Sequence, residues 1–153
     1  MTDIVSKEVR SRMMAGIKGK DTKPEILVRQ LLHRNGFRFR LHQKHLPGRP
    51  DIVLKRYNAV IFVNGCFWHG HQRCHLFRLP KSRRDFWEDK ISANRERDGR
   101  KRKALLELGW RVGVIWECAI KGKTALDHTK LMAELLGFIQ GDERSFDLTG
   151  THL

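Results

Sequence analysis

Apolar positions along this chain follow two rhythms. Some recur with a period of about 3.6 residues, and others form short unbroken runs. Ser6 to Ile17 has helical character and leads into a Gly/Lys-rich loop. Thr22-Lys23-Pro24-Glu25 is a capping-box pattern, in which a hydroxyl and a carboxylate satisfy the open amides of a first helical turn. It predicts a helix from about Pro24 to Asn35, with Ile26, Leu27, Leu31 and Leu32 on one side and Gly36 as the stop. Phe37 to Leu41 reads as a short strand, and Leu46-Pro47-Gly48-Arg49-Pro50 as a turn. Asp51 to Leu54 and Ala59 to Asn64 are apolar, β-branched runs around a Lys55–Asn58 turn, which predicts a hairpin. Gly65 to Pro80 is a loop dense in His, Cys and aromatic residues. Ser82 to Leu108 is helical and highly charged, with a bend expected at Gly99 and an end at Gly109. Trp110 to Trp116 is a strand, and Thr124 to Gln140 a final amphipathic helix. The segment after Gly141 is polar and expected to be a flexible, loosely held tail.

Helix, three strands, helix, strand, helix is an order that suits an α/β fold, a mixed sheet flanked by helices. It is similar to the αβββαβ core of restriction-endonuclease-like nucleases. A length of 153 residues fits a single domain over 1–153 that folds without a disulfide framework.

Charge adds a partner. There are 31 Lys+Arg against 17 Asp+Glu, a net of +14, and the pI is about 10.4. Such a balance points to a polyanion, nucleic acid ahead of an acidic membrane surface. The densest stretch, Lys81 to Lys103, holds 10 basic and 5 acidic residues. A second cluster runs through Lys7, Arg10, Arg12, Lys18, Lys20 and Lys23. One such run alone reads as a solvated helix face; two in so basic a chain suggest a phosphate-contacting face. No apolar run is long enough to cross a membrane, and Met1 to Arg10 lacks the apolar core of a signal peptide. Three cysteines, an odd number, fit reduced thiols and a cytoplasmic, nucleoid-associated location.

Asp51 opens a strand straight after Pro50. It reads either as a turn residue or as an oxygen ligand for a hard cation such as Mg²⁺. The strand Val60-Ile61-Phe62-Val63-Asn64 carries neither the second acid nor the lysine that nucleases of this fold usually place there. The loop from Gly65 to His75 holds Cys66, Cys74, His69, His71 and His75, and Cys118 follows the last strand. Three thiolates and one imidazole fit tetrahedral Zn²⁺, although spacing alone leaves His69, His71 and His75 open as the fourth ligand. A histidine not used for zinc is free to move protons near neutral pH. Phe67, Trp68, Phe86 and Trp87 lie in basic surroundings, where aromatics either join a core or stack on bases.

Five collinear segments carry a resemblance: Leu46 to Asp51; Val60-Ile61-Phe62; Gly65-Cys66-Phe67-Trp68-His69; Leu108 to Val112; and Trp116-Glu117-Cys118-Ala119. Together with Arg10-Ser11, Met14 and Asp21-Thr22, they resemble the very-short-patch-repair (Vsr) DNA mismatch endonucleases over roughly residues 6 to 140. The resemblance implies a restriction-endonuclease-like fold, a structural Zn²⁺, and Mg²⁺-dependent nicking of one strand 5′ to the thymine of a T·G mismatch. The partner is then double-stranded DNA, met by a monomer and followed by mismatch-repair proteins.

The resemblance also implies roles. Asp51 and the backbone carbonyl of Val63 would hold Mg²⁺, His69 would activate water, and Glu25 would be an acid near the metal. Cys66, His71, Cys74 and Cys118 would hold zinc. Phe67, Trp68 and Trp87 would enter the DNA stack from one side, and Met14 would wedge in from the other with the N-terminal arm, residues 1–20. Where the family often has a second histidine, this chain has Asn64. Asn64 can donate a hydrogen bond to phosphate but cannot carry a proton. Two rivals follow: a zinc-stabilised DNA-binding protein without catalysis, and a nuclease of the same fold with another DNA substrate.

Overall fold

A computed structural model of the protein describes residues 21–151; Met14 and the rest of the first twenty residues lie outside them. Among the described residues, three α-helices cover both faces of a five-stranded mixed sheet.

Helix α1 spans Lys23–Arg34. The Thr22 hydroxyl accepts from the Glu25 amide at 3.4 Å, as the capping pattern requires. The Glu25 carboxylate reaches one residue further back than a regular capping box, to the Asp21 amide at 2.9 Å. Strand β1 is only Arg40–Leu41, shorter than expected. It pairs antiparallel with β2, Ile52–Leu54, which pairs antiparallel with β3, Ala59–Asn64. Asn58 makes the turn between β2 and β3 with φ +50°, a conformation asparagine tolerates.

Helix α2, Arg84–Glu107, is continuous through Gly99. It is the crossover that lets β4, Arg111–Trp116, lie parallel to β3 in full register, from Ala59 opposite Arg111 to Asn64 opposite Trp116. Helix α3 is His128–Gln140 rather than starting at Thr124. The Asp127 side chain accepts from the Lys130 amide at 2.8 Å and caps it, while Thr124 turns inward to the Cys118 carbonyl.

The tail expected to be loose is ordered in part. Ser145–Leu148 forms β5, parallel to β4 at the sheet's edge. Leu148 is buried on the core, and Asp147 binds the Arg102 guanidinium and the Trp116 indole N–H. Alternation of apolar and polar residues over only four positions hid this strand.

Strand β2 and, up to Val63, strand β3 are apolar because both faces are covered. Ile52, Leu54, Ile61 and Val63 pack with Val28, Leu32, Leu131, Leu135 and Phe138 of α1 and α3. Val53, Val60 and Val112 face Leu105 of α2. Among the described residues, no helix is long and apolar enough to cross a membrane.

Candidate active site and metal centre

Strands β3 and β4 end together, so the loop after Asn64 and the 3₁₀ turn Glu117–Ala119 leave the sheet side by side. This brings Cys66 and Cys118 together across 52 residues of sequence. His71 Nδ1 lies 3.4 Å from Cys66 Sγ and 3.6 Å from Cys118 Sγ. A tetrahedral Zn²⁺ with ordinary Zn–S and Zn–N bonds has S···N edges of about 3.6 Å. Cys74 completes the group, one ligand atom from each residue and all within 4.8 Å of one another. The donor set and its dimensions therefore fit a tetrahedral metal, and of the three candidate histidines it is His71 that enters. Burial pushes the thiols of Cys66 and Cys118 up, so neither would ionise there without a cation. The Cys118 amide donates to Cys66 Sγ and the Gly150 amide to Cys118 Sγ, at 3.4 and 3.3 Å. The His71 ring stacks on Trp116, with centroids 4.1 Å apart and planes 7° from parallel. These contacts hold the ligands in orientation.

The same loop is pinned to α2 on its other side. Residues 91, 94, 95 and 98 share one helix face. Ile91 is buried, the Asn94 amide donates to the Trp68 carbonyl at 2.9 Å, and Arg95 Nε donates to the Gly70 carbonyl at 2.8 Å. Gly70 has φ +58°, and a Cβ there would come within 2.4 Å of Ile91; only glycine fits so close an approach. Asp98 accepts from His69 Nδ1 at 2.6 Å. That bond fixes the tautomer and leaves Nε2 as the basic nitrogen.

His69 lines a cleft of about 1300 Å³ together with Glu25, Asp51, Val63 and Asn64. Asp51, at the entry to β2, accepts from the Val63 amide at 2.7 Å, so Val63's backbone lies against it. Glu25 is buried and Asp51 nearly so. Burial, with the Glu25 charge adding to it, raises the Asp51 carboxyl to about 7, although the Val63 hydrogen bond and the charges of Arg29 and Lys101 pull the other way. An oxygen donor beside a second buried acid fits a hard divalent ion.

Phe67 and Trp68 line the same cleft. Trp87 of α2 packs on both, with centroids 5.4 and 6.0 Å away, and Phe86 packs on Trp87 at 5.3 Å. None of the four belongs to either buried core. They form a separate aromatic ridge, partly exposed, with Phe86 and Trp87 on the most basic stretch of the chain.

A family profile described as DNA mismatch endonuclease Vsr matches residues 2–75. The DNA mismatch endonuclease Vsr of Escherichia coli (strain K12) is 44% identical over 155 aligned residues, covering 100% of this chain and 99% of that protein. This chain belongs to the Vsr family. It is a DNA endonuclease, a hydrolase of DNA. The type II nicking enzyme V.XorIIP of Xanthomonas oryzae pv. oryzae is 54% identical over 83% of this chain and 93% of its own length. The type II nicking enzyme V.NmeAIP of Neisseria meningitidis is 48% identical over 80% and 87%.

In this Vsr-family enzyme, sequence reasoning missed Asp98, the partner of His69. It is one of five acids between Lys81 and Lys103, and nothing in the spacing marks the one that faces the loop. His42 and Arg29 were missed as well. His42 Nδ1 is 3.6 Å from Asp51 Oδ1, and Arg29 donates to Glu25 at 3.0 Å. Arg29 and Glu25 are an i,i+4 pair on helix α1, a spacing the sequence does carry; His42 sits just past β1 with φ +46°, where a strand ending gives no signal.

Proposed function

We propose that this endonuclease nicks one strand of double-stranded DNA 5′ to the thymine of a T·G mismatch, acting as a monomer on a restriction-endonuclease-like core. The observation that carries the reading is the His69–Asp98 pair opening into the same cleft as the buried Glu25 and the nearly buried Asp51. Asp51 and the carbonyl of Val63 would hold Mg²⁺, which when bound supplies Lewis-acid activation of the scissile phosphate. His69 takes a proton from the attacking water at Nε2 while Asp98 holds its Nδ1–H and stabilises the imidazolium. Glu25 keeps a second oriented carboxylate on the metal side. Asn64, buried at the end of β3, offers an amide to phosphate and leaves the leaving oxygen without a histidine donor. Cys66, His71, Cys74 and Cys118 hold structural Zn²⁺, which sets the loop that carries His69. Phe67, Trp68 and Trp87 enter the base stack, since a T·G wobble pair must be opened to be told from a regular one. Met14, outside the described residues, is assigned the opposite wedge.

Duplexes carrying T·G, T·A or C·G at one position, incubated with and without Mg²⁺, test the reading directly. Nicking confined to T·G with Mg²⁺ is expected. Binding without any cut would favour the non-catalytic rival, and equal cutting of all three would favour another substrate.

Two residue-level outcomes belong here. Asp98→Asn should lower the nicking rate by about 10²–10⁴-fold, because the wrong tautomer of His69 then faces the water. Zinc content and mismatch affinity should stay at wild-type values, and an unchanged rate would remove Asp98 from the mechanism. Trp68→Ala should weaken mismatch binding by roughly 1–3 kcal/mol, the stacking contribution of one aromatic. It should cost far less stability than the ~3–5 kcal/mol of a core tryptophan. Binding should fall with salt by about 0.9 in log–log slope for each phosphate contacted. A large stability loss with unchanged affinity per folded molecule would put Trp68 in the core.

A further inference from the structure

Trp116 ends β4 and lines the cleft, and two imidazoles of the Cys/His loop meet its indole. The His71 ring lies flat on it, with centroids 4.1 Å apart and planes 7° from parallel. The His69 ring meets it edge-on, at 6.4 Å and 78°. Stacked and edge-on contacts are the two arrangements that aromatic rings favour. His71 is the imidazole beside Cys66 and Cys118, and His69 is the one that faces Asp98. One side chain therefore borders both the Cys/His centre and the group assigned to proton transfer.

The indole is itself held. Its Nε1–H donates to Asp147 Oδ2 at 2.9 Å. Asp147 stands on β5 opposite Val114. Residues two apart on a strand point the same way, so Val114, Trp116 and Asp147 share one side of the sheet. Arg102 of α2 grips the same carboxylate with both terminal nitrogens, at 2.8 and 3.3 Å. Arg102 follows Asp98 by four residues, so one helix face fastens His69 directly and Trp116 at one remove. The Asp147 side chain is 40% exposed, and an exposed ion pair by itself contributes little to stability. Its consequence lies in the ring it fixes.

We propose that Trp116 is a positioning residue shared by His71 and His69, with Asp147 and Arg102 as its anchor: the indole is the fixed wall against which His71 presents Nδ1 to the metal and His69 presents Nε2 to the cleft. Stacking confines the plane of the His71 ring, and the edge contact limits rotation of the His69 ring about its bond to Asp98. Strand β5 thereby acts on the site through the indole. The inference rests on the proposed roles of the zinc ligands and of His69, and its test separates them.

The full chain with its zinc is compared as wild type, Asp147→Ala, Asp147→Asn, Trp116→Phe and Phe146→Ala. Two readouts are independent of turnover: the rate at which a chromogenic chelator strips the zinc, and the NMR signals of the His69 ring, assigned by their absence in His69→Ala. Asp147→Ala should speed zinc loss about 10-fold, the low end of what outer partners of a metal site contribute. It should also move the His69 signals, because the indole's ring current moves with the indole. Nicking at saturating DNA should slow by a similar factor, with KM unchanged. Trp116→Phe, a ring without the N–H, should match Asp147→Ala. Asp147→Asn keeps an acceptor for the indole and should stay close to wild type in every readout. Phe146→Ala removes a neighbouring β5 side chain that stacks on Phe138. It should lower the melting temperature and leave zinc loss and the His69 signals unchanged.

Wild-type zinc loss or wild-type His69 signals in Asp147→Ala overturn the inference. So does a Phe146→Ala protein that reproduces both changes, since the effect would then be one of general stability. If both readouts move while nicking keeps its rate, the wall stands and His69 loses its assignment as the base. A wild-type protein without zinc removes the metal centre, and the shared role with it.

Discussion

Asp51→Asn should abolish nicking and, without added divalent ions, make the protein more stable at pH 8. Both effects come from one carboxyl. The folded state raises it from 3.8 to about 7, first through burial and then through the Glu25 charge. Between about pH 4 and pH 7 the folded protein therefore holds a proton that the unfolded chain has released. Stability contributed by the protonated carboxyl is complete below about pH 4 and is lost as pH rises through 7. At pH 8 the ionised carboxylate costs about 2–4 kcal/mol, because each tenfold change in proton affinity is worth about 1.4 kcal/mol and partial solvation relieves some of the total. Asparagine keeps the acceptor for the Val63 amide and has no such cost. Thermal unfolding of the two proteins should therefore diverge as pH rises, by about 5–10 °C at pH 8 for a chain of this length. Their curves should converge near pH 4. Mg²⁺ should raise the melting temperature of wild type and leave the variant's unchanged. Nicking by the variant should drop at least about 10³-fold, while mismatch binding persists. Identical pH–stability curves would mean that burial does not hold the Asp51 carboxyl above its ordinary range.

Loss of the Cys/His centre should be the more severe lesion. Cys118→Ser should release the zinc and leave the chain largely unfolded near 37 °C. Structural zinc sites of this kind contribute roughly 10–16 kcal/mol of apparent binding free energy. That is comparable to the whole stability of an ordinary domain, about 5–15 kcal/mol. The site has no apolar substitute to fall back on. Cys66 and Cys118 are buried, their thiols pushed towards the neutral form, and a serine would bury a hydroxyl among them. Elemental analysis should give one zinc per wild-type chain and none for the variant. A Cys118→Ser protein that melts at the wild-type temperature, or a wild-type protein free of zinc, would show that the four residues meet for another reason.

Legibility varied with the physics behind each element. Helix α1 was readable because Thr22, Pro24 and Glu25 act on their own neighbours. Strands β2 and β3 were readable because burial on both faces leaves an unbroken apolar run. Helix α2 was readable as a helix but not as a scaffold. Its working face carries Asn94, Arg95 and Asp98 between Ile91 and Leu105, so polar groups stand where an apolar stripe would announce a buried side. Strand β5 was hidden by its length and by Asp147, which looks like a solvent residue until Arg102 and Trp116 are placed beside it. Within the candidate site, the fold brings together the residues that the sequence crowds into one loop. Asp98 and His42 were not legible, because their meaning depends on contacts 13 or more residues apart, and Arg29 was passed over although it stands four residues from Glu25 on the same helix. Spacing left three histidines open as the metal ligand, and only the fold set His71 against Cys66 and Cys118 while turning His69 towards Asp98.

The Cys/His cluster at the ends of β3 and β4 also bears on the order in which the chain assembles. Parallel strands joined by a long crossover are slow to meet, because the entropy of closing the loop is spent before any pairing returns it. Here the two ends to be joined are 52 residues apart. Three of the four ligands, however, lie within the nine residues from Cys66 to Cys74. A short, local segment can gather the ion first, and Cys118 then needs only to be captured. Once it is, the β3–β4 register is set from its far end, Asn64 against Trp116, and the remaining pairs can close towards Ala59 and Arg111. A metal held by these four residues would then guide folding as well as brace the fold, turning a chain-wide search into a zippering step.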